Sequence, residues 1–569
     1  MSKTLKKLLA AVLAVLMVVS LAACAKTPAS SAAPTPSNTE SKAGGDDDLY
    51  YNKTGLPITK DVIEISVIGV KSELEYKWED TLQAKDWKEK FNISVKSDLY
   101  NGDDLKTIFT QLVASDELPD LINKVGLTEA EAQAYGKDGY LLDFTQYKDL
   151  MPEMYARFKD YPAYQKYLSD EKGHIYGLST LLATEHEALA RVYMSQKWLD
   201  NLGLKVPTNT DELYSVLTEF KNKDANKNGD ATDEIPFLFY GSSYLWKMFM
   251  PAYGILSKDY DFPLVVNNNK VEFAASSDNY KAMLKYLRKL YQDGLIESGA
   301  FVDTGDDMKA KAKYELDRVG MIGDAPFLGR SSTIDKDQDM VWIGGLTSEV
   351  NDKQYVGIST GVQTPMIIMV GAKTKYPEAM ARWIDYYYSD EGYVDGISGP
   401  LGVSWEYVED AKTGYKIRKL LRTDEFDTDE KFRYNYATPG SPFVMFQNYE
   451  FLGRGVLWHL DDEKLKDQEV LDTYGWAAIT ELGMRREGNI MVYDFYPVMS
   501  YTADESTQRT TMKNDISTYL QTYVVTAITD KAYDIDAGWN AHLDELKRAK
   551  VNELLALEQK AYDRFNAGA

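Results

Sequence analysis

A segment rich in acidic and amide side chains, residues 224–234, carries the strongest chemical pattern in the chain. Its oxygen-bearing side chains stand at alternate positions, and Gly229 occupies the sixth position, where a Ca²⁺ loop turns sharply. Hard oxygen donors at this spacing can wrap a Ca²⁺ ion with six or more oxygens. We therefore predict a structural Ca²⁺ site with these ligands: Asp224, Asn226, Asn228, Asp230, Asp233 and Glu234.

The end of this loop departs from the EF-hand pattern. Ile235 stands at the twelfth position, where a bidentate glutamate belongs, and residues 235–240 are extended in pattern rather than helical. A calcium-sensing helix pair is therefore not expected. The alternative to a structural Ca²⁺ site is a solvated turn rich in Asp and Asn.

Residues 357–361 match the Gly-x-Ser-x-Gly nucleophile elbow of esterases. That motif needs a helix after Ser359, whereas residues 362–370 have the pattern of a strand, so we expect only a turn between glycines. The histidines also lack the close pair of a zinc helix, which argues against a catalytic zinc site. The 88 acidic residues could supply a carboxylate pair for glycoside hydrolysis, but the sequence singles none out.

Aromatic residues are abundant, with 10 Trp and 41 Tyr. Several stand in polar or glycine-bearing segments, where a flat ring could stack on a pyranose. The alternative is burial in the core, which is common for large aromatic side chains. The candidates for sugar contacts include Trp78, Trp246, Trp405 and Trp458.

The amino terminus has the pattern of an export signal. Three lysines precede a short apolar run, and small residues follow it, so residues 1–23 are predicted to be a signal peptide. Cys24, the only cysteine, comes next, and residues 24–56 are small, polar and Pro-rich, as in a disordered tether. The alternative is an ordinary signal peptide with a chance cysteine.

Composition indicates a large globular protein. A chain of 569 residues with 44% hydrophobic residues exceeds what one core serves, so at least two lobes are expected. The net charge of -24 argues against binding nucleic acid or anionic lipid headgroups. No apolar run after Cys24 is long enough to span a bilayer, so a lipid is the only anchor expected.

Strand and helix patterns alternate along the chain. Residues 62–68 alternate as a buried strand does, and residues 105–113, 211–222 and 280–291 have apolar residues at helical spacing. This alternation predicts an α/β fold, and residues 539–565 predict a pair of closing helices.

Leu21 to Cys24 resembles the lipobox of bacterial lipoproteins, which implies cleavage before Cys24 and a diacylglycerol lipid on its sulfur. Residues 114–122, 172–178 and 197–213 resemble motifs of the extracellular solute-binding lipoproteins of carbohydrate ABC transporters. The last run leads directly into the calcium-like loop, as in the long oligosaccharide-binding members, although the loop here is one residue longer and Ser179 replaces a proline.

This resemblance implies a two-lobed, periplasmic-binding-protein-like (Venus flytrap) α/β fold, with hinge crossings near residues 180, 322 and 371. The implied lobes are 57–180 plus 323–371 and 181–322 plus 372–569, the second ending in helices. Near the implied cleft, Tyr240, Trp246, Asp324 and Trp405 follow strands or matched segments and are expected to contact the ligand.

The implied function is capture of a carbohydrate by hinge closure and its delivery to ABC transporter permease subunits, without catalysis. The protein is expected to be a monomer at the bacterial cell membrane, on a Gram-positive surface or on the periplasmic face. The alternative is a surface-anchored glycan hydrolase or esterase.

Overall fold

The computed structural model describes the chain from residue 49 to residue 567. The following residues within these limits lie outside the description: 73, 75, 184–191, 240–241, 258, 260, 302–317, 324–339, 358–360, 363–364, 410–415, 427–428, 439–441, 448–456, 458–459, 468–469, 471–475, 488–490, 494–496, 498 and 500. The predicted signal peptide, Cys24 and most of the predicted tether are outside it as well.

The strands follow one another in the order β1 Ile63–Val70, β2 Ile93–Tyr100, β3 Leu121–Asn123, β4 Leu181–Leu182, β5 Val192–Ser195, β6 Ile235–Phe239, β7 Leu264–Asn267, β8 Lys270–Phe273, β9 Val319–Gly323, β10 Met340–Trp342, β11 Tyr355–Gly357, β12 Gly361–Val362, β13 Ile368–Val370, β14 Trp405–Glu409, β15 Lys416–Leu420, β16 Phe446–Gln447 and β17 Met491–Tyr493.

The α-helices are α1 Leu82–Phe91, α2 Gly102–Ser115, α3 Glu129–Lys137, α4 Pro152–Asp160, α5 Pro162–Leu168, α6 Gln196–Leu202, α7 Thr210–Asn222, α8 Ser242–Ala252, α9 Asp278–Gln292, α10 Pro377–Tyr386, α11 Asp390–Ser398, α12 Asp429–Phe432, α13 Asp462–Leu465, α14 Trp476–Glu487, α15 Ala503–Thr529, α16 Ile535–Arg548 and α17 Val551–Ala567. A π-helical turn, Arg433–Ala437, continues α12.

The first large sheet has the strand order β13-β3-β1-β2. The central strands β3 and β1 and the edge strand β2 are parallel to one another. The other edge strand, β13, runs antiparallel beside β3. Alternate residues of β1 are buried, as the sequence predicts. Helix α1 covers the sheet with Trp87 and Phe91, because its apolar residues recur at helical spacing.

The second large sheet has the order β10-β5-β9-β6, with β6 and β9 parallel. Helices α6 and α7 pack on it through Trp198 and Phe220. A Cβ atom at Gly320 would lie 2.5 Å from the Phe220 ring and 2.7 Å from the Trp198 ring. Strand β9 therefore needs glycine at this position for both rings to approach.

Two separate hydrophobic cores surround these sheets. The first core takes residues from 58–183, 362–388 and 443–446, and we call the elements packed on it lobe 1. The second takes residues from 192–356 and 516–554, and its elements form lobe 2. The chain thus passes between the cores after Ala183, after Val356 and after Phe446. Residues 340–356 pack with the second core and 379–388 with the first. The predicted lobe bounds place these two segments the other way round, and the bounds as a whole stay a prediction.

The carboxyl-terminal helices close lobe 2. Helix α15 packs along α9, and α16 and α17 pack against α9, α15 and the β7–β8 hairpin. The pair of helices expected over residues 539–565 is present as α16 and α17. None of the helices formed by the described residues is both long and apolar enough to cross a membrane.

Candidate ligand-binding site

The parallel strands of each lobe end at one edge of their sheet. In lobe 1, β1 ends at Val70 and β3 at Asn123, and these strands are neighbours. In lobe 2, β6 and β9 end side by side with Phe239 opposite Gly323. In open α/β sheets, ligands bind in the crevice outside the carboxyl ends of the strands. These two edges are therefore the candidate ligand-binding site.

Polar and charged side chains gather at the lobe 1 edge, and we call this set the strand-end cluster. The Asn123 side chain donates to the carbonyls of Ile367 and Pro442, at 3.1 and 3.0 Å. The Asn435 side chain accepts a hydrogen bond from the Leu74 backbone at 2.9 Å. This bond ties the π-helical turn to the segment that follows β1. The cluster comprises Asn123, Lys124, Arg433, Tyr434 and Asn435.

Two cationic residues give the cluster its charge. Lys124 directly follows β3, and burial, together with the nearby Arg433 guanidinium, lowers the pKa of Lys124 to about 8. Arg433 donates to the Ile397 carbonyl at 2.9 Å, which holds its guanidinium at the start of the turn. Both side chains are partly buried, whereas Tyr434 is 41% exposed. The cluster can therefore present cationic donors and one aromatic ring at the sheet edge.

An aromatic cluster packs against the π-helical turn. Tyr436 stacks on Phe426 with ring centroids 5.7 Å apart, and Tyr76 lies 5.5 Å from Tyr436. Phe426 and Phe432 are buried in this group. The turn is thus fixed by packing and by the Asn435 hydrogen bond.

Of the predicted sugar contacts, three tryptophans are buried. Trp78 is 1% exposed and packs edge-on against Trp87, and Trp246 is 6% exposed in the second core. Trp405 is 2% exposed and donates from its indole nitrogen to the Gly399 carbonyl at 2.7 Å. In this structure their rings pack against protein, so their role as ligand contacts stays a prediction.

The other predicted contacts, Tyr240, Asp324 and Trp458, lie outside the described residues. Tyr240 and Asp324 come directly after the paired strand ends Phe239 and Gly323 in the sequence. Their assignment also stays a prediction.

Side-chain oxygens of the predicted Ca²⁺ loop accept hydrogen bonds from backbone nitrogens of the same loop. Asp224 accepts hydrogen bonds from the backbone nitrogens of Asn228 and Gly229, at 3.0 and 2.9 Å. Lys227 and Gly229 have positive φ angles of 59° and 94°, which produces the sharp turn. Helix α7 enters the loop and strand β6 leaves it, as the sequence predicts.

The end of the loop offers oxygens for a cation. Asp233 Oδ1 and Glu234 Oε2 are buried without a hydrogen-bond partner. The other Asp233 oxygen lies 3.1 Å from Arg318 Nε, and Glu234 Oε1 accepts from the Ala225 backbone. Across the described residues, no three His, Cys, Asp or Glu side chains gather closely enough to hold a metal ion. A cation here would therefore need the amide and carbonyl oxygens as well as the carboxylates.

The geometry of the described residues does not support the alternatives of an esterase or a zinc enzyme. Ser359 lies outside them, and Gly361–Val362 after it form strand β12 rather than the helix of a nucleophile elbow. His542 is buried between Tyr519 and the Ala275 carbonyl, and His174 pairs with Asp143 at 2.7 Å. His186 and His459 lie outside the described residues.

Sequence reasoning missed the strand-end cluster. A lysine directly after a short buried strand was a usable signal for Lys124, because strand ends point to the cleft. Arg433 and Tyr434 stand in a segment without helical or strand periodicity, so the sequence carried no comparable signal for them.

Comparison with known proteins finds relatives along most of the chain. The chain is 26% identical over 476 residues to the fructooligosaccharide ABC transporter substrate-binding protein FusA of Streptococcus pneumoniae serotype 4, covering 80% of this chain and 82% of FusA. It is 23% identical over 409 residues to lipoprotein LipO of Bacillus subtilis, covering 69% of this chain and 72% of LipO. No protein-family model matches the chain.

Solved structures with this fold cover more of the chain. FusA of S. pneumoniae in complex with kestose matches with a TM-score of 0.66 at 22% identity, over 89% of this chain and 100% of FusA. An HMO-binding, ABC-transporter-associated solute-binding protein of Bifidobacterium longum infantis matches with a TM-score of 0.69 at 20% identity, over 88% and 98%. An EF-hand mutant of FusA with fructo-nystose has a TM-score of 0.65 at 21% identity, over 89% and 100%.

These comparisons confirm the resemblance drawn from the sequence motifs. They also confirm the predicted fold, because the structural neighbours are two-domain solute-binding proteins and the described residues form a mixed α/β structure.

Proposed function

We propose that this protein captures an oligosaccharide outside the cytoplasm and delivers it to the permease subunits of an ABC importer. The observation that carries the proposal is the similarity to FusA along about four fifths of both chains. Similarity of this extent includes residues of both lobes. The two cores, joined by chain crossings, provide the bodies that would close around a sugar.

The test is a thermal-shift screen of the protein starting at Ala25 against oligosaccharides, peptides and small solutes, with Ca²⁺ present. A ligand at 100 times its Kd should add about 2.7 kcal/mol to the free energy of unfolding. We expect one oligosaccharide series to stabilise the protein and to be recovered intact afterwards. Stabilisation by peptides alone would contradict the proposal.

The alternative, a glycan hydrolase or esterase, is separated by the same experiment. An enzyme would return shortened or deacylated sugar after prolonged incubation, whereas a binding protein returns the sugar unchanged. Chromatography and mass spectrometry of the recovered sugar measure this difference directly.

We also propose that a diacylglycerol lipid on Cys24 holds the protein at the membrane. The sequence before Cys24 supports this, and similarity to a lipoprotein of B. subtilis is consistent with it. Replacing Cys24 by alanine should release the protein from the membrane fraction of the producing bacterium. Unchanged membrane association of this variant would contradict a lipid anchor.

Loop 224–234 is proposed to hold a structural Ca²⁺ ion. The unpartnered oxygens of Asp233 and Glu234 and the hard oxygen donors of the loop support the assignment. Asp224, Asn226, Asn228, Asp230, Asp233 and Glu234 would supply the ligands, and the bound ion would fix the turn between α7 and β6.

A further inference from the structure

The strand-end cluster lies where neighbouring strands of lobe 1 end. Strands β1 and β3 run parallel, with Val67 opposite Leu121 and Ile68 opposite Ile122. Both strands therefore end at the same side of the sheet. The Asn435 side chain binds the backbone at Leu74 after β1, and Lys124 follows β3. The π-helical turn and Lys124 are thereby brought to the same edge from distant parts of the chain.

The backbone at this edge is held in an uncommon conformation. Lys124 has a φ angle of 53°, and Met366, which precedes the neighbouring strand β13, has a φ angle of 43°. The Lys124 nitrogen donates to the Ile367 carbonyl at 2.9 Å, and the Met366 nitrogen donates to Ser179 Oγ at 2.9 Å. Left-handed backbone at non-glycine residues costs free energy and clusters at ligand sites. The cluster also contains the π-helical turn Arg433–Ala437, and π-helical segments occur frequently at functional sites.

We propose that the strand-end cluster binds an acidic group of the saccharide, so that the natural ligand contains a uronic acid or another carboxylate-bearing sugar. This inference rests on the proposed function and narrows its ligand class. The recognising groups are the ammonium of Lys124 and the guanidinium of Arg433, with the exposed ring of Tyr434 beside them.

The chemistry of the two cations favours an anion over a neutral sugar. Lysine and arginine offer hydrogen-bond donors and no acceptor, whereas a neutral sugar hydroxyl needs both kinds of partner. The guanidinium fork matches a carboxylate, and its charge-assisted hydrogen bonds are stronger than neutral ones. Burial and the nearby Arg433 guanidinium both disfavour the charged form of Lys124, and a ligand anion at this edge would offset that cost. The lowered pKa of Lys124 agrees with this arrangement.

The experiment compares each acidic sugar with the same sugar after its charge has been removed. Trigalacturonate and sialyllactose are each measured against their carboxyl methyl esters, by calorimetry with the soluble protein starting at Ala25. We expect at least one acidic sugar to bind about 30-fold more tightly than its neutral partner, as for a buried charged hydrogen bond. Its affinity should fall as the salt concentration rises.

Variants locate the effect. Lys124→Gln should weaken binding of the acidic sugar by about 30-fold and change binding of the neutral one by less than about twofold. Lys547→Gln is the matched control, because Lys547 is exposed on α16 and its loss changes the net charge equally. The melting temperature without ligand shows whether each variant is folded.

Three results would overturn the inference. Neutral oligosaccharides could bind while every acidic sugar fails, which contradicts the acidic ligand and leaves the proposed function standing. Lys124→Gln and Lys547→Gln could weaken acidic binding equally, which places the charge effect elsewhere. If no saccharide of either kind binds, the proposed function fails together with the inference.

Discussion

At the scale of single residues, His542 shows how burial sets a protonation state. Its Nε2 faces the Ala275 carbonyl at 2.9 Å and must donate, so Nδ1 accepts from the Tyr519 hydroxyl at 2.9 Å. The ring stacks on Tyr523 with centroids 3.9 Å apart. Burial lowers the pKa of His542 and so favours the neutral ring in the folded protein.

Replacing His542 by phenylalanine should lower the free energy of unfolding at pH 8 by about 1–3 kcal/mol, because the Ala275 carbonyl loses its donor. The folded pKa lies below the unfolded value of about 6.5, so wild-type stability falls as the pH drops below that value. The variant has no histidine at this position, so its stability does not fall with pH for this reason. Urea unfolding at pH 8 and pH 5.5 should show the difference between the two proteins shrinking at the lower pH.

Tyr519→Phe is the control for this prediction, because it removes the neighbouring hydroxyl and keeps the histidine. Its stability should still fall as the pH drops, because the buried histidine remains. A constant difference between wild type and His542→Phe at both pH values would contradict the assigned protonation state.

The pKa of Asp385 shifts upward, so its effect on the pH dependence of stability is opposite to that of His542. It is buried in lobe 1, where its oxygens accept from the Met154 and Glu153 backbone at 2.8 and 3.3 Å. Burial raises the pKa of Asp385 to about 7. Because the folded state holds this proton more tightly, stability falls as the pH rises from about 4 to about 7, by at most about 1.4 kcal/mol per pH unit.

Asp385→Asn should remove this contribution, so that its unfolding free energy declines less between pH 4.5 and pH 7 than that of the wild type. The exposed Asp390→Asn serves as the control and should keep the wild-type slope. Identical slopes for Asp385→Asn and the wild type, from urea unfolding, would contradict the raised pKa.

At the scale of elements, the carboxyl-terminal helices are joined by a buried ion pair. Glu558 on α17 is fully buried, and Arg509 on α15 donates to it at 2.6 Å, as does the Tyr501 hydroxyl. Nearby, Arg564 and Lys560 on α17 bind Glu505 on α15, which helps lower the pKa of Glu505 to about 2. Helices α15 and α17 are therefore locked in register by charge as well as by apolar contacts.

Arg509→Met should destabilise the protein by about 3 kcal/mol, because it leaves a buried carboxylate without its cation. Adding Glu558→Gln should recover most of this loss, since the amide oxygen still accepts from Tyr501 and no charge remains buried. Urea unfolding of the two single variants and the double variant measures the coupling. Additive losses would show that the ion pair does not join the helices energetically.

The Ca²⁺ loop is a second test at this scale. Adding Ca²⁺ to chelator-treated protein should raise the melting temperature, because an ion that binds only the folded state stabilises it. Asp224→Ala should abolish the rise, since this carboxylate also organises the turn. Asp544→Ala, on the exposed surface of α16, should keep it. Equal Ca²⁺ responses of the wild type and Asp224→Ala would exclude the loop as the site.

At the scale of the whole molecule, the carboxyl-terminal helices contact both lobes. Helix α15 packs against α3, and the nitrogen of Tyr501, which precedes α15, donates to Glu129 at the start of α3, at 3.1 Å. Lys166 on α5 lies 5.0 Å from the ring of Phe565 at the end of α17. Helices that pack on the second core therefore reach over to lobe 1, in addition to the chain crossings between the cores.

If the lobes close on a sugar, the radius of gyration should fall when the stabilising oligosaccharide is added. Small-angle X-ray scattering with and without that sugar measures this, and a sugar that gives no thermal shift is the control. A radius that stays constant at saturation would contradict capture by hinge closure.

Part of the candidate site could be predicted from the sequence. The loop oxygens and their turn follow from spacing within eleven residues, and the structure places helix α7 before them and strand β6 after them. The tryptophans were harder, because a ring in a polar segment can face solvent or core. Packing against Trp87 and the Gly399 carbonyl decided this for Trp78 and Trp405.

The sequence by itself predicts an export signal, and it indicated the α/β alternation, the Ca²⁺-type loop and the resemblance that the comparisons confirmed. These properties depend on residue types at short, fixed spacing, which the chain states directly. Only the tertiary structure decided which segments share a core and that Lys124 and the turn carrying Arg433 lie at one sheet edge. Such contacts join residues far apart in the chain, and their partners are chosen by packing and strand order, which no local pattern records.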